Sequence, residues 1–191
     1  MTEAEKMQVI TEKAKKIKLL ILDVDGVLTD GKLFFDHQGN EYKSFHARDG
    51  HGIKLLRQTG VEVAVISGRK SNSVALRMKN LGIEHVYQGH ENKRAAFYEV
   101  IEKLGITSEQ AAHVGDDLLD LPIMIRVGLS IAVSDANFAV KQRADWCTTL
   151  PGGHGAVREV CDFIMQAQGH FDEIVNAYLK WVRKIINPIF T

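Results

Sequence analysis

The chain has 191 residues, 45% of them hydrophobic and 25% charged, enough for one domain with a sizeable core and too few for two comfortable ones. Lysines plus arginines number 24, as do aspartates plus glutamates, so no overall field points to nucleic acid or to a membrane surface and any anion binding must be local. Cys147 and Cys161 show no metal spacing, the N-terminus lacks the apolar core of a signal peptide, and no apolar run approaches a membrane span, so the expected setting is reduced and cytoplasmic.

Residues 3 to 16 place Met7, Ile10 and Ala14 on a helical period, which predicts a short amphipathic helix covering a sheet. Ile17 and Leu19 to Leu22 then form an aliphatic run suited to a strand buried on both faces, and it stops at Asp23, Asp25 and Gly26. The segment 32–46 has apolar Lys32 to Phe35, turn formers from Asp36 to Asn40, then Tyr42 and Phe45; it reads as a projecting hairpin whose Leu33, Phe34 and Phe35 need a cover, most simply another copy of the chain. Asp49 is placed as the cap of a helix from Gly50 to Gln58 that stops at Gly60. A second strand, Val61 to Ile66, ends at Ser67-Gly68-Arg69, where a hydroxyl and backbone N–H groups can face a phosphate. A helix from about Ser71 to Asn80 and a third strand, Ile83 to Tyr87, follow.

Glu91 to Leu104 reads as a helix with Lys93 in its first turn, a position that disfavours a cation unless an anion sits beside it. Ala111 to Val114 is a fourth strand that runs into a second acidic cluster, Asp116, Asp117 and Asp120, before Pro122; Asp117 or Asp120 can also serve as a helix cap. Strands at Leu129 to Val133 and Asp145 to Thr149 flank a short helix near Ala136 to Gln142, and the last helix, Phe171 to Ile186, carries an apolar stripe at Phe171, Val175, Tyr178, Val182 and Ile185. Alternation of strands and helices predicts an α/β fold with a doubly wound, mostly parallel sheet. In the common order 3-2-1-4-5, strands one and four are neighbours, and Asp23, Asp25 and Asp116 share one crevice.

Carboxylates gathered in one crevice repel unless some are protonated or a cation joins them. Oxygen ligands with room for water suit Mg²⁺, and Mg²⁺ beside Ser67, Arg69 and Lys93 makes an environment for phosphoryl transfer. His46, Arg48, Lys54, Arg69 and Arg77 are candidates to gather near that crevice and favour a substrate bearing a carboxylate as well as a phosphate.

Asp23-Val24-Asp25-Gly26-Val27-Leu28-Thr29, Ser67-Gly68-Arg69, Lys93 and Gly115-Asp116-Asp117-Leu118-Leu119-Asp120 resemble, in order and spacing, the four motifs of the haloacid dehalogenase superfamily of phosphatases. The resemblance implies Asp23 as nucleophile, Asp25 as general acid and base, and Ser67 and Lys93 as holders of the phosphoryl group. It also implies a metal held by Asp23, the Asp25 carbonyl and Asp116, with Asp117 and Asp120 as supporting candidates. From Ile17 to Gly169 the chain resembles the capless subclass, including Ala47-Arg48-Asp49-Gly50, Tyr87-Gln88-Gly89 and the stretch from Gly155 to Asp162, and only the hairpin and one helix fit between Asp25 and Ser67. That likeness implies substrate contacts from Asp25, His46, Ala47, Arg48, Asp49, Gly50, Lys54, Arg69, Arg77 and Lys93. It further implies a homotetramer assembled through hairpin 32–46 and a sugar-acid phosphate of the lipopolysaccharide pathway as substrate. A nonulosonate 9-phosphate phosphatase, a receiver-type signalling domain and a non-catalytic assembly domain are the alternatives. The domain expectation is a phosphatase core over 1–169 and an additional helix over 170–191. One departure stands in the tail, where the subclass has Gly-Gly-Arg-Gly and this chain has Gly152-Gly153-His154-Gly155, which implies a weaker or pH-dependent tail contact.

Overall fold

The structure, a computed structural model, describes residues 2–186, with side chains as far as Lys180. Along the chain, among the described residues, the strands are β1 (Leu19–Leu22), β2 (Phe34–Phe35), β3 (Glu41–Tyr42), β4 (Glu62–Ser67), β5 (His85–Gln88), β6 (Ala111–Gly115), β7 (Leu129–Ala132) and β8 (Trp146–Cys147). The helices are α1 (Glu3–Ala14), α2 (Ala47–Gln58), α3 (Asn72–Leu81), α4 (Lys93–Leu104), α5 (Leu121–Met124), α6 (Phe138–Lys141), α7 (Ala156–Ala167) and α8 (Phe171–Ile186).

The main sheet is parallel throughout, in the order β5-β4-β1-β6-β7-β8. This is the expected 3-2-1-4-5 order, lengthened at one edge by β8. Successive side chains of a strand face opposite sides, and β1 has apolar layers on both. Leu20 and Leu22 join Val63 and Val65 in the core under α1, α2 and α7, while Leu19 and Ile21 join Ala64, Ile66 and Phe97 in the core under α4. A strand so enclosed has no place for a polar residue until it reaches the edge of the sheet, and Asp23 is where β1 gets there.

The antiparallel hairpin pairs Phe34 with Tyr42 and Phe35 with Glu41. Leu33, Phe34, Phe35 and Tyr42 are 45%, 51%, 58% and 56% exposed, so the hairpin presents an apolar face that this chain does not cover. The expected capping of α2 by Asp49 is corrected. The helix starts at Ala47, with extended His46 at its N-cap and no side-chain cap, and Asp49 lies in the first turn. Its buried carboxylate instead accepts 2.8 Å from the backbone N–H of Arg158 in the first turn of α7, tying α2 to α7.

After β8 the chain returns across the loop that follows β1. Gly153 N–H donates to the Val27 carbonyl at 2.9 Å, and a Cβ on Gly152 would lie 1.7 Å from the Gly26 carbonyl oxygen, so no other residue fits that crossing. The last helix packs on the same chain: Phe171 and Ile174 lie against the core, and the Tyr178 hydroxyl is 3.3 Å from His51 Nε2. Val175 and Tyr178 of the expected stripe stay 40% and 50% exposed, while Val182 and Ile185 lie outside the described side chains. Among the described residues no helix is long and apolar enough to cross a membrane.

Candidate active site

The carboxyl ends of β1, β4 and β6, three neighbouring strands, carry Asp23, Ser67 and Asp116 into one crevice, where ligands of open α/β sheets bind. The cavity is about 250 Å³, and Asp25, Arg69 and Asp117 also line it. A wider depression of about 790 Å³, lined by Lys16, Lys18 and Gln168, lies at the amino ends of the strands, away from these carboxylates.

Lys93 is the floor of the crevice. As the first residue of α4 it is 1% exposed, and its ammonium lies 2.8 Å from Asp23 Oδ1 and 2.7 Å from Asp120 Oδ1. The unfavourable placement of a cation at a helix start is thus offset by two buried carboxylates. Burial alone would push the Lys93 ammonium down, but Asp23 and Asp120 hold it above the ordinary lysine range. Asp120 is fully buried, and its other oxygen accepts from the backbone N–H groups of Asp116 and Asp117 at 2.9 and 3.2 Å. With both oxygens engaged, Asp120 serves as the anchor of the loop and of Lys93. Asp117 is exposed and accepts from Leu118 N–H, so it caps the following turn.

The acids that face the crevice are crowded. Burial, the Asp120 charge and the Asp23 charge push Asp116 up to about 8, and burial with the Asp120 charge pushes Asp23 up to about 6 despite Lys93. Among the described residues Asp116 Oδ1 is buried without a hydrogen-bond partner, and Asp23, Asp116 and Asp120 each offer an oxygen within 4.8 Å of the others. A hard divalent cation fits this donor set, because it replaces the proton that crowding otherwise imposes. Asp23 and Asp116 would hold it, and when bound it would supply positive charge to a phosphoryl oxygen. Gly26 belongs to the same arrangement: at φ +87° it turns the chain after Asp25, and a Cβ there would lie 2.1 Å from Asp116 Oδ2.

This crowding sets a pH dependence. Asp116 and Asp23 lie above the unfolded carboxylate value, so the metal-free folded state holds more protons than the unfolded one, and stability falls as pH rises from about 4 through about 8. Mg²⁺ at one hundred times its Kd should restore about 2.7 kcal/mol at pH 8 and less at pH 5, where it competes with protons. Thermal melts with and without EDTA read this directly; a metal effect equal at both pH values would contradict it.

Some groups reach the site that sequence reasoning missed. Lys43, whose side chain is 1% exposed, pairs with the Asp25 carboxylate and lies 2.8 Å from Glu41 Oε1. Arg69 pairs with Glu41 and lies 3.8 Å from Asp25. The signal was present in the alternation Glu41-x-Lys43, which puts both side chains on one face of a hairpin strand, the face that looks back at Asp25. His113, on β6, was also passed over: its fully buried imidazole sits 3.5 Å from Asp120, and burial pushes it down to about 4, so it is neutral.

The remaining expected substrate contacts do not meet at the crevice within this chain. His46 and Arg48 line a separate cavity of about 410 Å³ with His154 and Arg158. Exposed Lys54 stands beside Arg57 and Lys79 in a third depression. Arg77 lies over the Phe45 ring at 5.8 Å, and a Cβ on Gly50 would come 2.2 Å from its guanidinium, so Gly50 is a crossing point of α2 and α3. Ala47 is exposed and Asp49 is tied to α7. At the crevice itself the basic groups are Arg69, Lys93 and the unforeseen Lys43, while His46, Arg48 and Lys54 line other depressions of the chain.

A parallel sheet with this acidic crevice, Lys93 beneath it and Ser67 beside it, defines a phosphoryl-transfer hydrolase. The family model of haloacid dehalogenase-like hydrolases matches residues 83–159. The 3-deoxy-D-manno-octulosonate 8-phosphate phosphatase KdsC of Escherichia coli is 52% identical over 164 residues, 86% of this chain and 87% of that protein. The chain belongs to the haloacid dehalogenase-like hydrolases, among the relatives of that phosphatase. A crystal structure of 3-deoxy-D-manno-octulosonate 8-phosphate phosphatase from Moraxella catarrhalis, in complex with a magnesium ion, a phosphate ion and a KDO molecule, superposes with a TM-score of 0.88 at 42% identity over 90% of this chain and 99% of that one. The cobalt-bound deoxy-D-mannose-octulosonate 8-phosphate phosphatase of Haemophilus influenzae gives a TM-score of 0.81 at 46% identity, covering 83% of this chain and 93% of the other.

Proposed function

We propose that this chain is a Mg²⁺-dependent phosphatase that hydrolyses 3-deoxy-D-manno-octulosonate 8-phosphate to the free sugar acid and phosphate, in the cytoplasm, as a step toward lipopolysaccharide. The observation that carries the reading is the Asp23 carboxylate at the end of β1, held 2.8 Å from buried Lys93 and beside the unpartnered oxygen of Asp116. In this reading Asp23 attacks phosphorus while the sugar oxygen leaves with the proton of Asp25. The resulting aspartyl-phosphate is cleaved by a water that gives its proton to Asp25, which regenerates Asp23 and releases phosphate. In the same reading Lys93 and the Ser67 hydroxyl hold the phosphoryl oxygens, and Arg69 takes the acid group of the sugar.

The test is phosphate release by the purified protein with Mg²⁺ from 3-deoxy-D-manno-octulosonate 8-phosphate, nonulosonate 9-phosphates and hexose phosphates, each repeated with EDTA. An EDTA-sensitive preference for the first supports the reading. Preference for a nonulosonate phosphate keeps the chemistry and moves the substrate, and absence of release from all of them returns the chain to a non-catalytic role.

The assembly proposed is a homotetramer built through hairpin 32–46, whose half-exposed Leu33, Phe34 and Phe35 supply the apolar contact. Phe34→Ser combined with Phe35→Ser should yield monomers in light scattering, with the far-ultraviolet circular dichroism of the parent. A tetramer that survives both changes would place the interface elsewhere.

A further inference from the structure

The Glu41 carboxylate stands in a place that the reaction leaves unexplained. It projects from β3 toward the crevice, is largely covered, and meets two cations: the Arg69 guanidinium, from the loop after β4, and the Lys43 ammonium. Both cations also reach Asp25, at 3.8 Å from Arg69 and in direct contact with Lys43. The Arg69 side chain is 47% exposed, so a ligand entering from solvent meets the guanidinium that Glu41 already occupies. Among the described residues Glu41 Oε1 makes no aligned hydrogen bond, although Lys43 Nζ is 2.8 Å away, so charge rather than geometry holds it there. Its mount is a two-residue strand of the hairpin.

We propose that Glu41 is an internal carboxylate that occupies the Arg69 guanidinium in place of the carboxylate of the substrate, and that it thereby tempers the affinity of the crevice for phosphate esters that also carry an acid group, leaving esters without one unaffected. The inference rests on the sugar-acid phosphatase reading. A carboxylate-bearing ester exchanges one carboxylate for another on Arg69 and leaves the local charge balanced. An ester without one leaves the Glu41–Arg69 pair closed and makes no use of the guanidinium. Displacement of Glu41 is a toll on the correct ligand, so its removal should tighten acids in particular.

The experiment compares the full-length protein with Glu41→Gln, in Mg²⁺, on 3-deoxy-D-manno-octulosonate 8-phosphate and on p-nitrophenyl phosphate, with the free sugar acid as inhibitor of the second reaction. Expected for Glu41→Gln are a Ki for the free sugar acid and a KM for its phosphate both lower by about tenfold, the scale of one charge-assisted hydrogen bond, and a KM for p-nitrophenyl phosphate changed less than about twofold. Glu41→Asp, which keeps the charge but shortens the reach to Arg69, should move the same way by less, and it serves if the Gln variant disturbs the hairpin. In an Arg69→Met background Glu41→Gln should leave the Ki unchanged. A higher or unaltered Ki, or an equal shift for both esters, overturns the inference while wild-type turnover leaves the phosphatase reading intact. A wild-type protein silent on both esters removes that reading and the inference with it.

Discussion

Asp23→Asn should release phosphate at least about 10⁴-fold more slowly than the parent while remaining folded, because an amide cannot form the aspartyl-phosphate and no neighbouring group is placed to replace it. The substitution changes one oxygen for an NH₂ at constant volume, and Lys93 keeps Asp120 as its partner at 2.7 Å. Stability provides the second readout. Asp23 is pushed up to about 6 by burial and by the Asp120 charge, so above that pH the folded protein holds a carboxylate it disfavours. Neutralising it should leave the metal-free melting temperature at pH 8 equal to or above that of the parent, the opposite of an ordinary core lesion. Asp25→Asn should also lose nearly all turnover, since in the proposed mechanism Asp25 exchanges the protons of both half-reactions. Substantial phosphate release by the Asp23 variant would refute the assignment of the nucleophile.

Lys93→Met should damage both fold and activity. The side chain is 1% exposed between two carboxylates, and breaking a buried pair by removing one partner typically costs about 3–5 kcal/mol, on the order of 10 °C in melting temperature for a chain of this size. Activity should fall by about 10³-fold through loss of the charge facing the phosphoryl group. Adding Asp120→Asn separates the two effects: the double variant should regain part of the lost stability, because it removes an orphaned buried charge, and none of the activity. A Lys93→Met protein as stable as the parent would mean that Asp23 and Asp120 share a proton instead of relying on the ammonium.

Much of the site is legible in the sequence. The aliphatic run ending at Asp23 reads as an enclosed strand because a strand covered on both faces admits only apolar residues, and Ser67-Gly68-Arg69 and Gly115-Asp116 end their strands in the same way. Strand edges shifted by a residue or two, as at β5, where pairing begins at His85 rather than Ile83. The expected start of the helix at Gly50 gives way to Ala47 for a specific reason. Asp is a good N-cap, and nothing local reveals that this carboxylate is taken by the N–H of Arg158, 109 residues away.

What the sequence by itself determined is where the strands and helices lie and that carboxylates stand at the ends of two strands, since hydrophobic period and turn chemistry are local properties, while the strand order follows from the common doubly wound pattern and the four motif positions from the family resemblance. Only the tertiary structure decided which charges meet. Lys93 between Asp23 and Asp120, Lys43 on Asp25, Glu41 on Arg69, and the diversion of His46, Arg48, Lys54 and Arg77 from the crevice all depend on the direction of side chains from elements distant in sequence. Electrostatic pairing falls off over a few ångströms, whereas spacing along the chain specifies only a strand end or a helix face. The charge partners of this site are therefore a property of the assembled fold.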